Sequence, residues 1–177
     1  MSKLLYHSKG KFFLQPDGQE EMSAETEVAL LRDRDSIVVT IRSFDADIEK
    51  YGAGELVQGI GSLTYNCVSA SFVVGSEIRW IAINPNGGFM YRGNFGAVTP
   101  ILTAKSFMSD DNSWTGVMRF PIEELFANAD TKDRTIRFNV DRRRGEEWGY
   151  LVHCGEVGNN PAGPPDHSKY ITIEEKE

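Results

Sequence analysis

The feature that most constrains this chain is a hydrophobic alternation of period two, recurring in short runs separated by Gly, Pro, Asn and Asp. A strand sends successive side chains to opposite faces, so each run marks a sheet with one face in a core. Ile37, Val39 and Ile41 fall on one face, with Val38, Thr40 and Arg42 on the other. Ala70, Phe72 and Val74 alternate with serines and a valine, and Arg79, Ile81 and Ile83 alternate with Ile78, Trp80 and Ala82. Trp114, Gly116, Met118 and Phe120 share a face, as do Ile136, Phe138 and Val140. Leu151 to His153 and Tyr170 to Ile173 read as two shorter strands. Only Ile122 to Asn128, behind Pro121, reads as a helical turn or two, with proline at its favoured place. The pattern predicts a core containing Ile37, Val39, Ile41, Phe72, Ile81, Ile83, Trp114, Phe120 and Phe138.

Each half-buried sheet needs a second sheet to cover it, so this many strands predict an all-β fold. The expected architecture is a two-sheet antiparallel β-sandwich, immunoglobulin-like or jelly-roll-like, with one or two short helices. A chain of 177 residues with 40% hydrophobic content suits a single domain, here residues 1–177, with a tail at 174–177 expected to fray. The most loop-like stretch runs from Asn159 to Pro165, and Tyr170 to Ile173 closes the fold beyond it.

A net charge of −7 repels phosphate backbones and anionic lipid, so neither nucleic acid nor membrane is an expected partner. The basic run Arg142-Arg143-Arg144 is answered at once by Glu146 and Glu147. No run approaches the roughly 20 apolar residues of a membrane span, and Met1 to Gly10 lacks a signal-peptide core. Cys67 and Cys154 permit one disulfide, and the sequence leaves open whether they pair.

Gly52-Ala53-Gly54 and Gly59-Ile60-Gly61 each lack the third glycine of a dinucleotide fingerprint and read as loops. His7, His153 and His167 are scattered, with no ligand spacing among them, and read as surface or packing residues. Nothing assembles an activated nucleophile or a supported acid and base pair, so the chain is expected not to be an enzyme by itself. Carboxylates come in close pairs, and sequence neighbours on a strand cannot face each other across a sugar as a glycosidase requires. Such pairs make solvated turns, or they supply oxygen ligands to a hard cation; Asp45 and Asp47 are the pair assigned to calcium. No other cofactor is expected.

Four segments, in order, Thr26 to Asp45, Ile81 to Gly88, Trp114 to Pro121 and Ile136 to Trp148, resemble carbohydrate-binding module family 9 and the wider DOMON-like superfamily. Thr26 to Asp33 followed by Ser36 to Asp45 resembles the family's opening strand pair. Ile81-Ala82-Ile83-Asn84-Pro85-Asn86-Gly87-Gly88 is similar to a strand running into an Asn-Pro-Asn-Gly turn. Trp114 and Pro121 match the family's spacing, and Ile136 to Arg142 looks like its Asn-x-x-Arg strand, with Glu147-Trp148 soon after. The resemblance covers about residues 24–173.

The resemblance implies a non-catalytic domain that holds a saccharide on an aromatic platform, accessory to a polysaccharide-degrading enzyme linked to it or associated with it. It also implies residence outside the cell or in the periplasm. Family members hold sugar between two tryptophans; Trp148 stands near the later position, and Tyr65 is the nearest aromatic to the earlier one. Ala70 stands where the family has glutamate, and Val117 where it has an acidic residue, so weak affinity is expected. Arg92, in a Gly-, Asn- and aromatic-rich stretch, and Arg142 are the expected polar contacts, although a buried arginine paired with a carboxylate serves equally as a brace. Trp80 falls on the sheet face opposite Arg79, Ile81 and Ile83, where it is exposed or covered by a loop. The alternative is an interaction domain of the same fold that has lost sugar binding. Haem binding would need converging axial ligands, and the five methionines show no such spacing.

Overall fold

The computed structural model describes residues 2–14, 18–45, 66–92, 103–109, 111–127, 129, 135–153 and 165–174. Among them are eleven strands, ten of which form one antiparallel path that doubles back on itself while the eleventh pairs beside it. They are β1 (Lys3–Leu14), β2 (Glu21–Asp33), β3 (Ser36–Phe44), β4 (Asn66–Val74), β5 (Glu77–Ile83), β6 (Phe89–Arg92), β7 (Thr103–Ser109), β8 (Ser113–Pro121), β9 (Thr135–Arg144), β10 (Glu147–Tyr150) and β11 (Ile171–Glu174). The order is β6-β5-β4-β9-β10-β1-β2-β3-β8-β7, and β11 shares an edge of β9 with β10.

Two layers of a β-sandwich result, β6-β5-β4-β9-β10 facing β1-β2-β3-β8-β7. They are continuous rather than separate: Phe13 and Leu14 at the end of β1 pair with β10, while the rest of β1 pairs with β2. Tight turns set the registers. Val74 pairs with Glu77 across Gly75-Ser76, and Arg144 pairs with Glu147 across Gly145-Glu146. Gly75 and Gly145 have φ of 59° and 58°, a left-handed backbone that matches strand twist and that a residue with no Cβ adopts most readily.

All nine residues expected in the core are buried between the layers. Phe72 of β4 meets Phe120 of β8 edge-on, ring centroids 4.5 Å apart, and Tyr6 of β1 meets Phe138 of β9 at 5.1 Å. Gly116 of β8 lets the layers approach, since a Cβ there would lie 2.9 Å from Ile83 and 3.2 Å from Val68. The helix α1 (Ile122–Phe126) follows Pro121 as expected, and Ile122 and Leu125 plug one end of the core.

Some elements differ from expectation. β1 is a long strand whose largely exposed side chains hide its period, and β6 and β7 are edge strands in stretches whose sequence carries no clear alternation. Leu151 to His153 is not a strand, because β10 ends at Tyr150. Beyond it the Asn139 side chain takes the place of a neighbouring strand, accepting from the Val152 amide at 3.1 Å and donating to its carbonyl at 2.9 Å. No helix among the described residues is long and apolar enough to cross a membrane.

Candidate functional site

The alternation that buries Val68, Ala70, Phe72, Ile81, Ile83, Phe138 and Val140 turns the intervening residues onto the outer face of the same layer. There Ser69 and Ser71 of β4, Trp80 of β5, Asn139, Asp141 and Arg143 of β9, and Trp148 and Tyr150 of β10 lie side by side. Trp148 is 48% exposed and leans on Tyr150, the ring centroids 5.8 Å apart and the planes 33° apart. Trp80 is half-buried.

A chain of hydrogen bonds joins the two tryptophans across the sheet. The Trp80 indole N–H donates to Ser69 Oγ at 2.9 Å, the Ser69 hydroxyl donates to Asp141 Oδ1, and the Trp148 indole N–H donates to Asp141 Oδ2 at 3.3 Å. Asp141 is only 8% exposed. Burial pushes its carboxyl up to about 6, against the opposing pull of Ser69, Trp148 and Trp80. A flat apolar ring face on Trp148 beside the exposed Arg143 donor suits a saccharide, with its apolar ring surface and hydroxyl rim, while the buried Asp141 carboxylate is taken up by the tryptophans and Ser69.

Of the residues expected at a site, Trp148 and Trp80 are brought together through Ser69 and Asp141. Arg92 occupies the register position opposite Trp80 on β6. Tyr65 lies outside the described residues. Arg142 is a correction: the alternation that sends Ile136, Phe138 and Val140 inward also sends Arg142 inward, away from Trp148. It is wholly buried and donates to Glu25 O at 2.8 Å, Thr26 Oγ1 at 2.9 Å, Phe44 O at 3.4 Å and Asp45 Oδ2 at 3.3 Å. Burial pulls its guanidinium down to about 10, so it stays charged at neutral pH as a brace between layers. The same alternation turns Asp141, one residue earlier, outward, and that period is the sequence signal that singles it out.

Asp45 is likewise occupied. Arg144 donates to its Oδ1 at 2.9 Å, Arg142 to its Oδ2, and Asn66 to Oδ2 at 3.3 Å, which surrounds the carboxylate with donors and cations where calcium would need oxygens. Asp47, Cys154, the Gly52–Gly54 and Gly59–Gly61 glycines, and the Asn159–Pro164 part of the loop lie outside the described residues. Among the described residues no group of three His, Cys, Asp or Glu side chains is placed to hold a metal ion. An open cleft of about 580 Å³ beside Asp45 is lined by Ser23, Ala24, Phe44, Asp111, Asn112 and Arg144. Cys67, buried on β4, has its thiol pushed up to about 12 by that burial.

No family model matches this sequence, and no curated protein does. Among solved structures, the chain is similar to a family 9 carbohydrate-binding module from Caldicellulosiruptor kristjanssonii in complex with cellotriose. The match has a TM-score of 0.55 at 10% identity and covers 88% of this chain and 77% of that one. The fold is that of a family 9 module. A family 9 module from the same organism in complex with glucose matches with a TM-score of 0.55 at 10% identity, covering 88% of this chain and 78% of that one. A candidate carbohydrate-binding protein from Bacteroides uniformis matches at 0.61 and 12%, covering 96% of this chain and 86% of that one. The family 9 likeness bears out the resemblance read from the four sequence segments at the level of the fold.

Proposed function

We propose that this domain is a non-catalytic carbohydrate-binding module whose ligand lies on the outer face of the β5-β4-β9-β10 layer. The observation that carries the reading is the half-exposed Trp148, tied through Asp141 and Ser69 to Trp80, on a fold shared with modules solved with cellotriose and glucose. Trp148 and Trp80 supply the stacking surface and Arg143 supplies a donor; Arg92 holds the register position opposite Trp80 on β6, and Tyr65 precedes β4 in the sequence. A module of this kind serves a polysaccharide-degrading enzyme by holding it against its substrate, and polymeric substrate places it outside the cell or in the periplasm. The outward exposure of Trp148 favours this over an interaction domain that has lost the sugar site.

Calorimetric titration with glucose and cello-oligosaccharides tests the reading. Wild type is expected to bind weakly, on the order of millimolar or somewhat tighter, and Trp148→Ala to lose at least about tenfold, or about 1.4 kcal/mol. Affinity unchanged in Trp148→Ala refutes the site, and no heat with any saccharide turns the assignment to the interaction domain.

A further inference from the structure

We propose that Asp141 is the positioning residue of the saccharide platform, one carboxylate whose two oxygens hold the indoles of Trp80 and Trp148 in a single arrangement. The inference rests on the reading of this face as a saccharide site. Trp80 sits in the row of Ser71 and Asn139, and Trp148 in the row of Cys67 and Arg143; Asp141 and Ser69 form the row between them. The indoles therefore reach the carboxylate from opposite sides, one from β5 through Ser69 and one directly from β10. Each bond uses the only polar atom of an indole, so it fixes the ring's rotation and leaves its faces for a ligand.

Burial of a carboxylate is costly, and an uncharged acceptor would satisfy the same donors at less cost. Ionised, Asp141 offers stronger charge-assisted bonds to both sides at once, which lowers the ordering cost of binding. Among the described residues, the other groups on this face are Cys67, Ser69 and Ser71 from β4, Asn139, Arg143 and, two rows further along, Arg137 from β9 itself, and Tyr150 from β10, which packs with Val73 and Tyr170. Cys67, with its thiol pushed up to about 12, carries no charge to compete. Protonation of Asp141 removes the charge from the Trp148 indole bond and from the Ser69 bond that carries Trp80, so the two tryptophans respond to one titration.

The test follows the three indole N–H resonances by ¹⁵N–¹H NMR from about pH 4.5 to about pH 8, assigned by single Trp→Phe variants. The expected result is one shared inflection near pH 6 for Trp80 and Trp148, and none for Trp114, whose N–H is buried in the core. Asp141→Asn should flatten both, and lower affinity for cellotriose by roughly tenfold. Ser69→Ala should reduce the Trp80 response while Trp148 keeps its own, which separates the two arms without removing the carboxylate. Flat or unrelated titrations of Trp80 and Trp148 in wild type overturn the anchor, as does an Asp141→Asn chain that binds cellotriose like wild type. A wild type that binds no saccharide refutes the reading of the face instead, while the shared indole titration still decides whether Asp141 anchors both rings.

Discussion

Replacing Arg142 by methionine is expected to destabilise the sandwich while leaving saccharide affinity of the folded chain unchanged. The guanidinium is fully buried and bridges β9 to β2 and to the end of β3, donating to two backbone carbonyls, one hydroxyl and Asp45. Breaking a buried ion pair from one side costs roughly 3 to 5 kcal/mol, because the partner charge and acceptors are left in low dielectric. Here Asp45 keeps Arg144 and Asn66 as donors, so it is not stranded, and the loss belongs at the low end. Methionine fills much of the volume without a charge to desolvate. The expected loss is about 3 kcal/mol, or roughly 6 to 12 °C in Tm for a chain of this size. Urea unfolding at pH 7 reads the stability, and calorimetric titration below the transition reads the affinity. An unchanged urea midpoint would refute the brace. Affinity that falls further than the unfolded fraction explains would mean that the inward assignment of Arg142 is wrong.

Asp141 makes folding depend on pH in a sense opposite to most carboxylates. Its folded value, about 6, lies above the ordinary 3.8, so its contribution is fully present below the ordinary value and is lost as pH rises through about 6. The difference corresponds to about 3 kcal/mol, so Asp141→Asn should be more stable than wild type at pH 8 and lose this part of the slope between pH 4 and 6; urea midpoints that move in parallel with wild type across that range would contradict it. Gly116→Val should cost about 1 to 3 kcal/mol by driving Ile83 and Val68 apart, and a chemical-denaturation midpoint at the wild-type value would show that the two layers do not meet there.

The sequence by itself determined which side chains face inward, because a strand's period of two is a local property of the backbone. Ile37 to Ile41 and Ile136 to Val140 carry that period plainly, and it extends correctly to Arg142 and Asp141 once applied without exception. Turn chemistry was equally local: Gly75, Gly145 and Pro121 mark where strands reverse or give way to α1. Strand β1 was not legible, since its long exposed stretches carry weak alternation and it is held by β2 on one side and β10 at its end. Period also says nothing about which strand lies beside which. Ser69, Trp80, Asp141 and Trp148 come from four strands, and only the pairings of β4 with β5 and β9, and of β9 with β10, bring them into one hydrogen-bonded chain. Those neighbours are chosen by how the two layers bury their inner faces against each other, a property of the whole folded chain that no local stretch of sequence carries.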